Sequence, residues 1–173
     1  MVSTGRHEMS TTTVRVRHEF SAGHRILGLT GAGEKCRNIH GHNFTCWWMF
    51  DQRPGWPLAV EFGSVKAELK EMIDRLLDHA FIVHKDDEFV GYLVTHGLKR
   101  YLLSDRPTTE AIAAEIARLT EAQFPALDLL YVQLTEGSNN EAVWMRGGPP
   151  AATYPPGSAV LDGDHAKRVR AVI

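Results

Sequence analysis

The sequence predicts an α+β domain: an antiparallel four-stranded sheet with two helices on one face, the elements running ββααββ. Two strand-like stretches come first, two amphipathic stripes of helical period occupy the middle, and two further strand patterns close the domain. The chain has 173 residues, 43% apolar and 23% charged. That is one domain of ordinary globular composition, long enough to bury a core.

Residues 1–13 carry no apolar signal core and read as a flexible N-terminal segment, so a cytoplasmic location is expected. Val14, Val16, His18 and Phe20 alternate with Arg15, Arg17 and Glu19, the pattern of a half-buried strand. Asn43 to Phe50 reads as a second strand, apolar on both faces. Trp47 and Trp48 point to opposite faces of it, so something besides the two helices must cover one of them. Arg53-Pro54-Gly55-Trp56-Pro57 breaks the strand. Gly63 to Leu77 is an amphipathic helix with Val65, Leu69, Met72, Ile73, Leu76 and Leu77 on one stripe. A loop begins at Asp78, and the stretch to Leu103 shows no readable period. Pro107-Thr108-Thr109 opens the second helix, with Ile112, Ile116 and Leu119 inward and Pro125 past its end. Leu130 to Glu136 and Ala142 to Met145 are the last strands, joined by the turn Gly137-Ser138-Asn139-Asn140. The domain therefore spans residues 14–146. Half of the eight prolines fall between Gly147 and Gly157, so residues 147–173 read as an extended Pro/Gly-rich tail.

Charge and cysteine usage exclude several classes. A net charge of −2 and a pI near 6.5 do not make a nucleic-acid footprint. No apolar run reaches membrane-spanning length. Cys36 and Cys46 make no disulfide framework and are expected to be free thiols.

The chemistry concentrates around Asn38-Ile39-His40-Gly41-His42-Asn43. A His-x-His pair entering a strand puts both imidazoles on one face. His24, in Phe20-Ser21-Ala22-Gly23-His24, offers a third. Three neutral imidazoles bind zinc and leave the fourth tetrahedral position open, as a catalytic metal requires. Cys36 stands beside this set. As a fourth ligand it would close the site into a structural zinc; structural sites usually carry more thiolates. Asp78-His79 also reads as a polar helix C-terminus, and Glu136 as a strand end. Pro107-Thr108-Thr109-Glu110 is a good helix start on capping grounds alone. Cys46 reads as core, and His84, His96 and His165 as surface residues.

Read together in order, Phe20-x-Ala22-x-His24, Cys36-x-x-x-His40-Gly41-His42-Asn43, Glu61-Phe62-x-x-Val65-Lys66, Leu77-Asp78-His79, Pro107-Thr108-x-Glu110 and Thr135-Glu136 resemble the 6-pyruvoyltetrahydropterin synthase and 6-carboxytetrahydropterin synthase family from about Val14 to Met145. The resemblance implies the tunnelling fold, in which subunits form a barrel with active sites between them, so a homo-oligomer, expected as a hexamer, would cover the doubly apolar strand. It implies a reduced pterin as small-molecule partner; from charge and hydropathy, no nucleic acid and no membrane are expected as partners. The implied substrate is 7,8-dihydroneopterin triphosphate. The implied activity is a zinc-dependent lyase giving 6-carboxy-5,6,7,8-tetrahydropterin for a deazapurine pathway. The 6-pyruvoyl product is the runner-up; a homologue with a changed pterin substrate or a non-catalytic pterin-binding role is the further alternative. Zn2+ would be held by His24, His40 and His42. Cys36 would be the base, Asp78 and His79 the supporting acid/base pair, and Glu136 the grip on the pterin ring, with Thr108 and Glu110 in the same pocket. The chain departs from the family at Glu61, commonly Asp, and Val65, commonly Leu. It also lacks the Asn that commonly follows the Asp-His motif, and carries Ala111 where Asn is common.

Overall fold

β1 (Thr12–His24) and β2 (His40–Gln52) pair antiparallel along their whole length, from Thr12 opposite Gln52 to His24 opposite His40. They are the spine of the protein in the computed structural model, which describes residues 12–52, 61–147 and 169–172. A 3₁₀ segment, Gly31–Arg37, lies between them and carries Cys36. Then follow α1 (Phe62–Leu76), β3 (Phe81–His84), α2 (Phe89–Thr95), β4 (Arg100–Leu103), α3 (Thr109–Gln123), β5 (Leu129–Glu136), β6 (Asn140–Met145) and β7 (Val169–Val172).

Among the described residues seven strands form one mixed sheet in the order β4-β3-β1-β2-β5-β6-β7. β1, β2, β5 and β6 are its antiparallel centre, while β3 runs parallel to β1 and β4 parallel to β3. The expected four-stranded antiparallel sheet and the order ββααββ are thereby corrected. The missing β3-α2-β4 unit lies in the stretch with no readable period. Its strands have four residues each and its helix seven, too short to show a period of 2 or 3.6. β7, from the tail, pairs with β6. Thr12 and Thr13, expected in the flexible segment, belong to β1. The break at Arg53–Pro57, residues 1–11, most of the tail and His165 lie outside the described residues.

α1 and α3 cover one sheet face. Val65, Leu69, Met72, Ile73 and Leu77 from α1 and its end meet Ile112, Ala113, Ile116 and Ala117 from α3 over Val16, Phe20, Phe44, Trp48 and Leu134. Burying each large side chain contributes roughly 1.5–3 kcal/mol. Trp48 is fully buried, and its indole N–H donates to Thr120 Oγ1 at 2.9 Å. Trp47 faces the opposite side, under the guanidinium groups of Arg15 and Arg17. Glu61 caps α1, its carboxylate accepting from Gly63 N and Ser64 N, so Glu at this departure position caps the helix. Among the described residues no helix is long and apolar enough to cross a membrane.

Candidate metal centre

The register of the central strands assembles the site. His24 is opposite His40, Gly23 opposite Gly41, and Ala22 opposite His42. Gly41 is needed for this close approach: a Cβ there would sit 3.0 Å from the Ala22 carbonyl oxygen. On the other side of β2, Glu136 is opposite Phe44, one side-chain period beyond His42. All four polar side chains therefore share the core face, beyond the helical cover. Their ligand atoms lie within 4.8 Å of one another.

Backbone carbonyls fix the imidazoles. His24 Nδ1–H donates to the Pro107 carbonyl at 2.8 Å, and His40 Nδ1–H donates to the Asn38 carbonyl at 2.7 Å. A carbonyl only accepts, so each Nδ1 carries the proton and each Nε2 keeps a lone pair. His24 is 1% exposed, and burial pushes its imidazole below the usual value, favouring the neutral, metal-binding form. The Nε2 atoms of His24 and His42 are buried with no hydrogen-bond partner among the described residues. Buried polar atoms are ordinarily satisfied. Converging lone pairs without donors are what a bound cation satisfies, so these residues fit a metal.

Glu136 is the unexpected member. Its Oε1 is 2.7 Å from His42 Nε2 and 3.8 Å from His24 Nε2, and its Oε2 accepts from Thr109 Oγ1. Thr108 is N-cap of α3, its hydroxyl accepting from Ala111 N. Glu110 sits half-buried in the first turn. Pro107 and Asn38 act through their carbonyls and Thr109 through its hydroxyl, roles that the motifs containing them do not announce. Thr109 had a signal: the N-cap hydroxyl of Thr108 is occupied by the helix, which leaves the next hydroxyl free.

Cys36 is not among the converging donors. It is half-exposed, and its carbonyl accepts from Ile26 N at 2.7 Å, tying the 3₁₀ segment to the end of β1. Asp78 and His79 stand on the outer edge of β1. Asp78 Oδ1 accepts from Ser21 N, His79 N donates to the Ser21 carbonyl, and His79 Nδ1 is 2.7 Å from Asp78 Oδ2. Burial pushes the Asp78 carboxyl up, but the Ser21 N–H and His79 outweigh it and hold it below the usual range. His79 adopts φ +56°, a left-handed conformation that turns its ring outward, and its side chain is 81% exposed. It shares an open groove of about 730 Å³ with His42, Asn43 and Lys99. Among the described residues, no hydrogen bond or ion pair links Cys36 to Asp78 or His79.

The family model described as 6-pyruvoyl tetrahydropterin synthase matches residues 13–147. Two curated relatives named 6-carboxy-5,6,7,8-tetrahydropterin synthase are similar to this chain. The Rickettsia felis protein is 34% identical over 104 residues, 58% of this chain and 73% of its own length. The Rickettsia bellii protein is 36% identical over 104 residues, with the same coverage. An uncharacterized protein from Wolinella succinogenes superposes with a TM-score of 0.67 at 18% identity, over 79% of this chain and 98% of its own. Caenorhabditis elegans 6-pyruvoyl tetrahydropterin synthase superposes with a TM-score of 0.57 at 22% identity, over 79% and 96%. Both likenesses show a shared fold.

Proposed function

The chain belongs to the 6-pyruvoyl tetrahydropterin synthase family, and we propose that it is a zinc-dependent lyase converting 7,8-dihydroneopterin triphosphate to 6-carboxy-5,6,7,8-tetrahydropterin. The observation that carries this reading is the convergence of His24, His40 and His42, two with tautomers set by carbonyls and two with buried Nε2 atoms lacking hydrogen bonds. Support for the product comes from the relatives of that name, at 33–36% identity.

In this reading zinc, held by His24, His40 and His42, would supply Lewis acidity to hydroxyls of the substrate side chain and so ease removal of neighbouring carbon-bound protons. Cys36 takes such a proton as its thiolate. His79, oriented through Nδ1 by Asp78, exchanges a proton at its Nε2. Glu136 receives the ring's amide and amino N–H groups on its two oxygens, with Thr109 fixing the carboxylate. Thr108 and Glu110 border the pocket. The protein works in the cytoplasm as a homo-oligomer, most simply a hexamer with active sites shared between chains.

Mass spectrometry of products from zinc-loaded protein and 7,8-dihydroneopterin triphosphate tests the proposal. The 6-carboxy product is expected. A 6-pyruvoyl product would move the assignment to the activity named by the matching family model. Unreacted substrate would leave a pterin-binding protein that does no chemistry.

A further inference from the structure

We infer that Glu136 is a fourth protein ligand to the metal when no substrate is bound, and that a pterin ring opens the coordination sphere by drawing this carboxylate away. The inference rests on the proposed function for the identity of the ring, and on geometry alone for the ligand.

Oε1 of Glu136 lies 2.7 Å from His42 Nε2, yet that nitrogen has no hydrogen bond among the described residues. The contact is thus out of line for an N–H donor. With the proton on Nδ1, His42 Nε2 would set a lone pair against this carboxylate oxygen, an arrangement that a cation between them relieves. His24 Nε2, also without a hydrogen bond, lies 3.8 Å from the same oxygen. Three imidazoles and one carboxylate, each a donor type that zinc accepts, fill all four tetrahedral positions. Such a set leaves no position for a substrate hydroxyl, and its negative charge weakens the metal as a Lewis acid. Departure of one donor opens a position and restores that acidity.

Which donor leaves follows from how each is held. His24 is 1% exposed and anchored by the Pro107 carbonyl. His40 is anchored by the Asn38 carbonyl. Glu136 is 14% exposed at the end of β5, and among the described residues only its second oxygen is hydrogen-bonded, to the hydroxyl of Thr109. It can turn about this one tether. A ligand presenting adjacent amide and amino N–H groups offers its carboxylate two charge-assisted hydrogen bonds in exchange for one metal bond. Ring recognition and the opening of the metal are then one event.

The test uses full-length holoprotein and needs no turnover. Zinc affinity is measured by competition with a chelator, and the site is reported by the visible absorption of the cobalt(II)-substituted protein. Glu136→Gln, which keeps shape and the Thr109 contact, should weaken zinc binding at least about 10-fold, the scale of lost partner groups at metal sites, and shift the cobalt bands. Thr109→Val should give a smaller loss in the same direction. Unchanged affinity and an unchanged spectrum in Glu136→Gln would overturn the ligand assignment. Adding pterin-6-carboxylate, with binding followed by its fluorescence, should change the cobalt spectrum of the wild type and not that of Glu136→Gln. Bound pterin with unchanged wild-type bands would overturn the opening step. Absence of pterin binding would count against the proposed function, while the affinity measurement still decides the ligand.

Discussion

Cys36 and Cys46 have opposite surroundings. Cys46 is fully buried in mid-β2, where loss of solvent pushes its thiol well above its usual value and leaves it inert. Cys36 is half-exposed in the 3₁₀ segment between β1 and β2 and is not one of the converging donors. Cys36→Ala should therefore cut turnover by at least about 10²-fold, the lower end for a lost acid–base group, with zinc content unchanged by atomic absorption. Near-native turnover would make the thiol a bystander, and loss of zinc would make it a ligand. Cys46→Ala should instead lower stability, by about 1 kcal/mol for a small buried deletion, and leave turnover intact. His24→Ala should lose zinc and activity together. The histidines were legible at this scale because His-x-His imposes one face on a strand, whatever else the chain does. The rest of the cluster was not. Glu136 reaches it through the register of β2 with β5, a pairing between residues far apart in sequence. The groups that set the His24 and His40 tautomers are main-chain carbonyls, which any residue type can offer.

Among the elements, β3-α2-β4 had no readable signal, and it is held by means other than a hydrophobic period. Arg25, just past β1, donates both Nε and Nη2 to the buried carboxylate of Asp87, ahead of α2. That carboxylate also accepts from Phe89 N at 2.8 Å, and the guanidinium lies over the Phe89 ring. A paired buried charge fixes the unit to the spine, and neither partner announces the other across the intervening sequence. Burial pushes the Asp87 carboxyl up, but the Arg25 and Phe89 hydrogen bonds outweigh it and leave it below the usual value. For a carboxyl depressed in the folded state, the stabilisation is complete above the unfolded value of about 3.9 and is lost as pH falls through the lower folded value. Asp87→Ala should cost about 3 kcal/mol at neutral pH, because it leaves Arg25, in a site only 14% exposed, with only the longer 3.5 Å contact to the exposed Glu88. In denaturant melts the gap between wild type and variant should narrow as pH drops below about 4. A gap constant with pH would remove the ionised pair as its cause. The helices α1 and α3, by contrast, were legible from their stripes, because 15 residues each give enough turns for a 3.6 period to show.

For the whole molecule, the doubly apolar β2 pointed to a partner, and the chain leaves surfaces that one would cover. Trp47 on the helix-free face is half-buried under Arg15 and Arg17. Along the outer edge of β1, β3 pairs only with Gly23 and His24, and Asp78-His79 meets Ser21. Thr12 to Phe20 have no strand partner on that edge among the described residues, which makes it a template for another strand. His79 projects from the same edge with 81% of its side chain exposed, and Ile39 and Leu98 are exposed along the groove beside it. If His79 is the acid–base residue proposed above, its lack of any hydrogen bond or ion pair to its own Cys36 among the described residues suits use by the site of a neighbour. Light scattering at micromolar concentration should therefore give a multiple of the chain mass, with a hexamer expected. Arg17→Pro, which removes a strand-edge N–H, should shift the protein toward smaller species while His24, His40 and His42 still bind zinc. Sharing of sites has its own test. Cys36→Ala and His79→Ala are each expected to be inactive, yet a mixture of the two, unfolded and refolded together, contains sites that take Cys36 from one chain and His79 from the next. Random assembly in a closed ring makes roughly a quarter of such sites whole, so activity should return to about that fraction of wild type. If each chain held a complete site, no mixture would recover activity, because every chain would carry one of the two defects.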